Sequence, residues 1–240
     1  MWLFRKSNPF AITAQSRFVS FVGAGGKSTL IEYVAAEGLR RGKRVAITTT
    51  TKIWAREPYV LFDQGVRRQA DLPELLRVGK TIEDGKLTGL DPGEIWELSQ
   101  NYDLVLIEAD GSKGRPLKYP ADYEPVVPPF SDLVLVVAGL DAISRRVDEV
   151  VFRHELFTQA TGVPGDAELS EELFLAFFDP EIMLKNVESE KCVIVLNKYD
   201  ACKRRGAVTD IAKFASRVAD NAPVLISSPR FGIFYGLEAV

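Results

Sequence analysis

A short β-rich run, Arg17-Phe18-Val19-Ser20-Phe21-Val22, stops at Gly23-Ala24-Gly25-Gly26-Lys27-Ser28-Thr29, and a segment with helical spacing follows. No other stretch constrains the fold as tightly. Glycines before Lys-Ser-Thr leave the backbone unscreened, so loop N–H groups and those opening the helix point at a bound phosphate. Residues Gly23 through Thr29 are therefore candidate nucleotide ligands. Lys27 would lie on the β- and γ-phosphates, and the Ser28 hydroxyl would ligate Mg²⁺. Leu30, Ile31, Val34, Ala35 and Leu39 mark the helix, Gly42 lies beyond its end, and Arg44 to Thr49 reads as a second strand. Strand, glycine turn, helix and strand in about thirty residues form a βαβ unit, which implies a parallel sheet.

The loop departs from the usual G-x-x-x-x-G-K-[ST] spacing. Counted back from Lys27, the first glycine position holds Phe21; counted forward from Gly23, the loop is two residues short. It opens differently from the usual loop or is compacted.

Further strands are expected at Asp103–Glu108, Leu133–Val137, Cys192–Leu196 and Val224–Ile226, all near-continuous apolar runs suited to cover on both faces. Ile211, Ala212, Phe214, Ala215 and Val218 predict a helix between the last two. Residues 152–178 carry helical spacing interrupted by Thr161-Gly162-Val163-Pro164-Gly165, and residues 80–90 predict a hairpin around Asp84-Gly85 at the sheet edge. The expected fold is a three-layer α/β sandwich with a mostly parallel sheet, resembling P-loop NTPases, with ligand at the carboxyl ends of the strands. One domain over residues 1–240, carrying the hairpin as an insertion, accounts for the chain.

Asn197-Lys198-Tyr199-Asp200 follows an apolar strand, and N-K-x-D at a strand end resembles the guanine-recognition motif of GTPases. The Asp200 carboxylate accepts from guanine's ring N–H and amine, Asn197 bonds the other purine edge, and adenine leaves the carboxylate facing an acceptor. Ser227-Ser228 after the next strand falls where a second base-contacting loop belongs. Glu108-Ala109-Asp110-Gly111 ends another strand: Glu108 is a candidate Mg²⁺ ligand, and Gly111 a γ-phosphate donor. Its E-x-x-G pattern resembles GTPases that help mature nickel enzymes. Thr48 to Lys52 form a candidate switch segment, and Lys113, Arg115 and Lys118 a basic loop able to meet γ-phosphate charge or an anionic substrate.

Together Val22–Thr29, Thr48–Ile53, Glu108–Ser112 and Asn197–Asp200 resemble the YqeC family, accessory proteins of selenium-dependent molybdenum hydroxylases. The likeness runs from about Phe18 to Ser228 and includes Pro116-Leu117-Lys118 and Glu124–Pro128. It implies a cofactor-maturation role, with a molybdenum hydroxylase or its maturation proteins as partners.

Thirty Lys and Arg against thirty-three Asp and Glu leave a net charge of −3, so no basic field makes nucleic acid the default partner. Leu133 to Leu140 is far shorter than the ~20 residues that span a bilayer. The first residues carry apolar groups before charges, the reverse of a secretory signal, so a cytoplasmic protein is expected. Cys192 reads as a core thiol, Cys202 as an exposed one, and the lone His154 as structural.

The leading expectation is a Mg²⁺-dependent GTP-binding and hydrolysing accessory protein. Lys27 binds phosphate, Ser28 and Glu108 hold the metal, Asp110 orients water, and Asn197, Lys198, Asp200 and Ser227 form the base site. A P-loop kinase using GTP or ATP, with its acceptor on Lys113, Arg115 and Lys118, and a non-catalytic nucleotide-gated scaffold are the alternatives. Turnover alone, turnover only with an acceptor, and binding without turnover separate the three.

Overall fold

The computed structural model describes residues 2–66 and 72–239. The sheet strands are β1 (Trp2–Lys6), β2 (Phe18–Gly23), β3 (Val45–Thr49), β4 (Val60–Leu61), β5 (Leu75–Gly79), β6 (Leu104–Glu108), β7 (Leu133–Gly139), β8 (Cys192–Asn197), β9 (Val224–Ser228) and β10 (Ile233–Ala239). They lie in the order β1-β10-β9-β8-β7-β2-β6-β3-β5-β4. From β9 across to β4 every neighbouring pair is parallel; β10 joins β9 and β1 joins β10 antiparallel. The fold is the α/β class with a mostly parallel sheet that the βαβ unit implies.

Alternation along the strands divides the core between two faces. Val19, Phe21, Leu104, Leu106, Leu135, Val137, Val193 and Val195 pack with Leu30, Ile31, Val34 and Ala35 of helix α1 (Lys27–Arg40). On the opposite face Val105 and Ile107 meet Ile95 and Leu98 of α2 (Pro92–Leu98). There too, Val134, Val136, Ile194 and Leu196 pack with Ile211, Ala212 and Ala215 of α3 (Val208–Val218). Helices thus cover both faces, and β2, β3 and β8 are buried throughout.

The expected hairpin is present as Ile82–Glu83 paired with Lys86–Thr88, its turn carried by Asp84 and Gly85 at φ +50° and +71°, as a two-residue primed turn requires. Lys52–Trp54 pairs with its second strand, so the insertion is a three-stranded sheet with a wall contributed from just after β3. The interrupted helical stretch resolves into His154–Thr161, closed by Gly162 at φ +75°, and Glu171–Ala176, opened by a Ser170 cap. Strands β1, β4, β5 and β10 were not foreseen. A second small pair, Leu117–Lys118 with Val151–Phe152, anchors the segment after β6.

α2 starts with a full capping box, Asp91 accepting from the Glu94 amide at 2.9 Å and Glu94 accepting from the Asp91 amide at 2.9 Å. Asp91→Ala is expected to lower the midpoint in urea denaturation with an unchanged slope, since it removes the cap.

Candidate functional site

The loop between β2 and α1 divides into two parts. The amide of Gly23 donates to Asp110 Oδ2 (2.9 Å), that of Ala24 to the Val137 carbonyl (2.8 Å), and that of Gly25 to the Arg115 carbonyl (3.0 Å). These three residues, read from the sequence as nucleotide ligands, hold the loop's own shape. Gly25 sits at φ +83°, and a Cβ there would lie 2.3 Å from the Gly139 nitrogen, so no other residue fits. From Gly26 onward no acceptor among the described residues takes the amides of Gly26, Lys27, Ser28 and Thr29, and Gly26 supplies α1 with no side-chain cap. The contrast with the fully capped α2 is direct. An uncapped fourteen-residue helix presents its N-terminal dipole and free donors to an anion.

Lys27 does not face solvent. Only 2% of it is exposed; its Nζ donates to the Gly23 carbonyl (2.5 Å) and pairs with Asp110 at 3.0 Å and Glu108 at 3.9 Å. Asp110 is equally enclosed and carries a second cation, Lys118, 3.1 Å from Oδ2. This corrects the expectation that Asp110 orients water: it lies outside the cleft lining and clamps the loop through the Gly23 amide and Lys27. Lys118 also pairs with Glu124 at 2.8 Å, and Glu124 with Arg153. Burial pushes the Glu124 carboxyl up, but Arg153 and Lys118 outweigh it and hold the group below its ordinary range.

Ser28 Oγ donates to Glu108 Oε2 at 3.2 Å, bringing a hydroxyl and a carboxylate together beside the free amides. Among the described residues no cluster of three or more His, Cys, Asp or Glu is suited to a metal. Two hard oxygen donors nevertheless fit Mg²⁺, which takes its remaining ligands from phosphate and water. Burial raises the Glu108 carboxyl above its ordinary value despite Lys27 nearby.

The N-K-x-D segment straddles the end of β8, with Asn197 its last residue. Asn197 is buried, its amide donating to the Gly25 carbonyl (2.8 Å) and its carbonyl accepting from Ser227 Oγ (2.8 Å). Its reach is toward the phosphate loop, so Asn197 and Ser227 act as braces between β8, β9 and the loop. Lys198, at φ +59°, reaches Asp141 at 2.9 Å. Asp200 is exposed, one carboxylate oxygen accepting from Ser228 Oγ at 2.6 Å while its own amide donates to the same hydroxyl at 2.9 Å. Ser228, buried beneath it, fixes the carboxylate that would read a base.

A cleft of about 950 Å³ opens from Gly26–Thr29 past Glu108 and Gly111 to the three-stranded insertion. Thr50 and Thr51 line it; Thr48 and Thr49 turn inward, donating to the Val78 and Glu108 carbonyls. Of the basic loop only Lys113 lines the cleft. Arg115 donates to the Glu149 carbonyl and Lys118 is buried between acids, so neither can grip a substrate there. Arg56, which the sequence did not single out, lines the cleft near enough to Glu108 to favour its ionised form. Cys202 is buried, against expectation, and burial raises both thiols, Cys192 to about 12.

The sequence profile described as "YqeC protein" matches residues 19–155, which hold the loop, Glu108, Asp110 and Arg153. The chain belongs to the YqeC family. A YqeC relative, "Uncharacterized protein YqeC" of Escherichia coli (strain K12), is 33% identical over 205 residues, covering 80% of each chain. The solved structure of hydrogenase maturation factor HypB from Archaeoglobus fulgidus aligns over 94% of this YqeC chain and 87% of its own, with 16% identity and a TM-score of 0.48. Among the described residues no helix is long and apolar enough to cross a membrane.

Because the unfolded chain ionises Glu108 from about pH 4.5 upward while the folded one resists, this carboxyl opposes folding as pH rises above that value. Glu108→Gln is expected to melt higher than the parent at pH 7–8, with the difference closing below pH 4.5. Thermal melts across pH read this; an equal or lower melting temperature at neutral pH would contradict the buried-acid account.

Proposed function

We propose that this YqeC family member binds a Mg²⁺–nucleoside triphosphate, GTP in preference to ATP, hydrolyses it, and serves maturation of a selenium-dependent molybdenum hydroxylase. One observation carries the nucleotide reading: among the described residues the amides of Gly26 to Thr29 find no acceptor at an uncapped helix start, beside a lysine and a paired hydroxyl and carboxylate. The phosphates lie on those amides. Lys27 swings from the Gly23 carbonyl onto the β- and γ-phosphates, and Ser28 with Glu108 holds the metal. Bound Mg²⁺ neutralises phosphate charge. Thr50, Thr51 and the Gly111 amide border the terminal phosphate. Membership of the YqeC family supports the accessory role. The two buried free thiols suit a cytoplasmic setting, and residues 1–240 act as one nucleotide-binding domain.

The base reading rests on Asp200, held by Ser228 with its second oxygen free to meet guanine. Asp200→Asn keeps an acceptor for the Ser228 hydroxyl but loses the carboxylate. GTP affinity is expected to fall about ten- to a hundred-fold, from loss of charge-assisted bonds of ~1.5–3 kcal/mol, while xanthosine triphosphate gains. Competition titrations with GTP, ATP and xanthosine triphosphate decide it: parent affinity equal for GTP and ATP, unchanged in the variant, would leave an ATP site. Turnover that appears only with an added phosphoryl acceptor would make the protein a kinase.

A further inference from the structure

The sheet order sets the direction in which a triphosphate lies. Asn197 ends β8 and Asp200 follows it, on one side of β2; Glu108 ends β6 and Thr50–Thr51 follow β3, on the other. A nucleotide with its base at Asp200 therefore points its terminal phosphate toward β6 and β3. The cleft does not end there. It is also lined by Trp54, Lys86, Lys113, Tyr123, Phe152 and Arg153.

The walls have a definite chemistry. Trp54 and Tyr123 are 66% and 69% exposed, a large uncovered aromatic area gathered at one cleft. Cations stand over the rings: Lys86 Nζ is 4.9 Å from the Trp54 ring centre, while Lys113 Nζ and the Arg153 guanidinium are 5.5 and 4.7 Å from that of Phe152. Lys86 and Lys113 have no carboxylate partner among the described residues. Aromatic faces accept flat rings, and unpaired ammonium groups accept negative charge. Arg153 is held in place by Glu124, so its position does not depend on a ligand.

We propose that this end of the cleft binds a second ligand, a planar heteroaromatic anion, beside the terminal phosphate. Its place beside that phosphate rests on the nucleotide reading above; its chemistry rests on the walls alone. Trp54 stacks on the ring, and Lys86 and Lys113 bind the anionic group.

Flavin mononucleotide, a flat heteroaromatic ring carrying one phosphate, serves as the probe, with riboflavin as the same ring without the charge. Calorimetry and flavin emission are followed with the free protein and with protein saturated with a non-hydrolysable GTP analogue and Mg²⁺. Saturable binding with quenched emission is expected in both, weaker by about ten-fold or more for riboflavin. Trp54→Ala and Lys113→Asn should each weaken flavin mononucleotide about ten-fold, Trp54→Phe should restore most of the loss, and Trp54→Ala should leave affinity for the GTP analogue and the melting temperature unchanged. The proposal is overturned by no binding, by riboflavin binding as tightly, by indifference to Trp54→Ala (the indole then only braces the hairpin), or by displacement of the flavin by the analogue. Should the analogue itself fail to bind, the nucleotide reading falls, while the free-protein titration still decides the second site.

Discussion

The carboxylate of Asp110 organises the site. Through one oxygen it holds the Gly23 amide and Lys118, and through the other it draws in Lys27, so the end of β6, the loop after β2 and the segment at Leu117–Lys118 share one buried charge. A buried carboxylate with one cation removed is costly, of order 3–5 kcal/mol, which ties the loop's shape to its neighbours. The glycine close to Gly139 and the Asn197 brace complete the enclosure. What remains outward is the stretch whose amides have no partner among the described residues.

Much of this was legible in the sequence because it is local. Gly25-Gly26-Lys27-Ser28-Thr29 carries its geometry in five adjacent residues, and the apolar runs at 104–108, 133–139 and 192–197 carry the parallel sheet in their lack of alternation. Asp84-Gly85 foretold its turn for the same reason. The departure from usual loop spacing has a physical resolution: Gly23 to Gly25 are bonded to β7, Asp110 and Arg115, leaving a short phosphate-facing segment.

The rest depends on partners far apart in the chain. Strand β1 pairs with β10 across almost the whole sequence, and neither Trp2–Lys6 nor the glycine-interrupted Ile233–Ala239 shows a buried-strand pattern. A motif names Lys27 and Asp110 but does not reveal that the two bind each other, or that Lys118 joins them. Likewise Lys113, Arg115 and Lys118 read as one basic loop. Only the short strand pairing at Leu117–Lys118 turns the last inward while leaving the first at the surface. Trp54 and Arg153 meet at a common cleft only through the fold.

Lys27, Asp110, Lys118, Glu124 and Arg153 form a continuous row of alternating charge from the phosphate loop to the aromatic wall. In such a row no member's energy is its own. Were Lys27 to turn from Asp110 toward a phosphate, as the nucleotide reading requires, Asp110 would still keep Lys118 as a cation, so its buried charge would not be left unpaired.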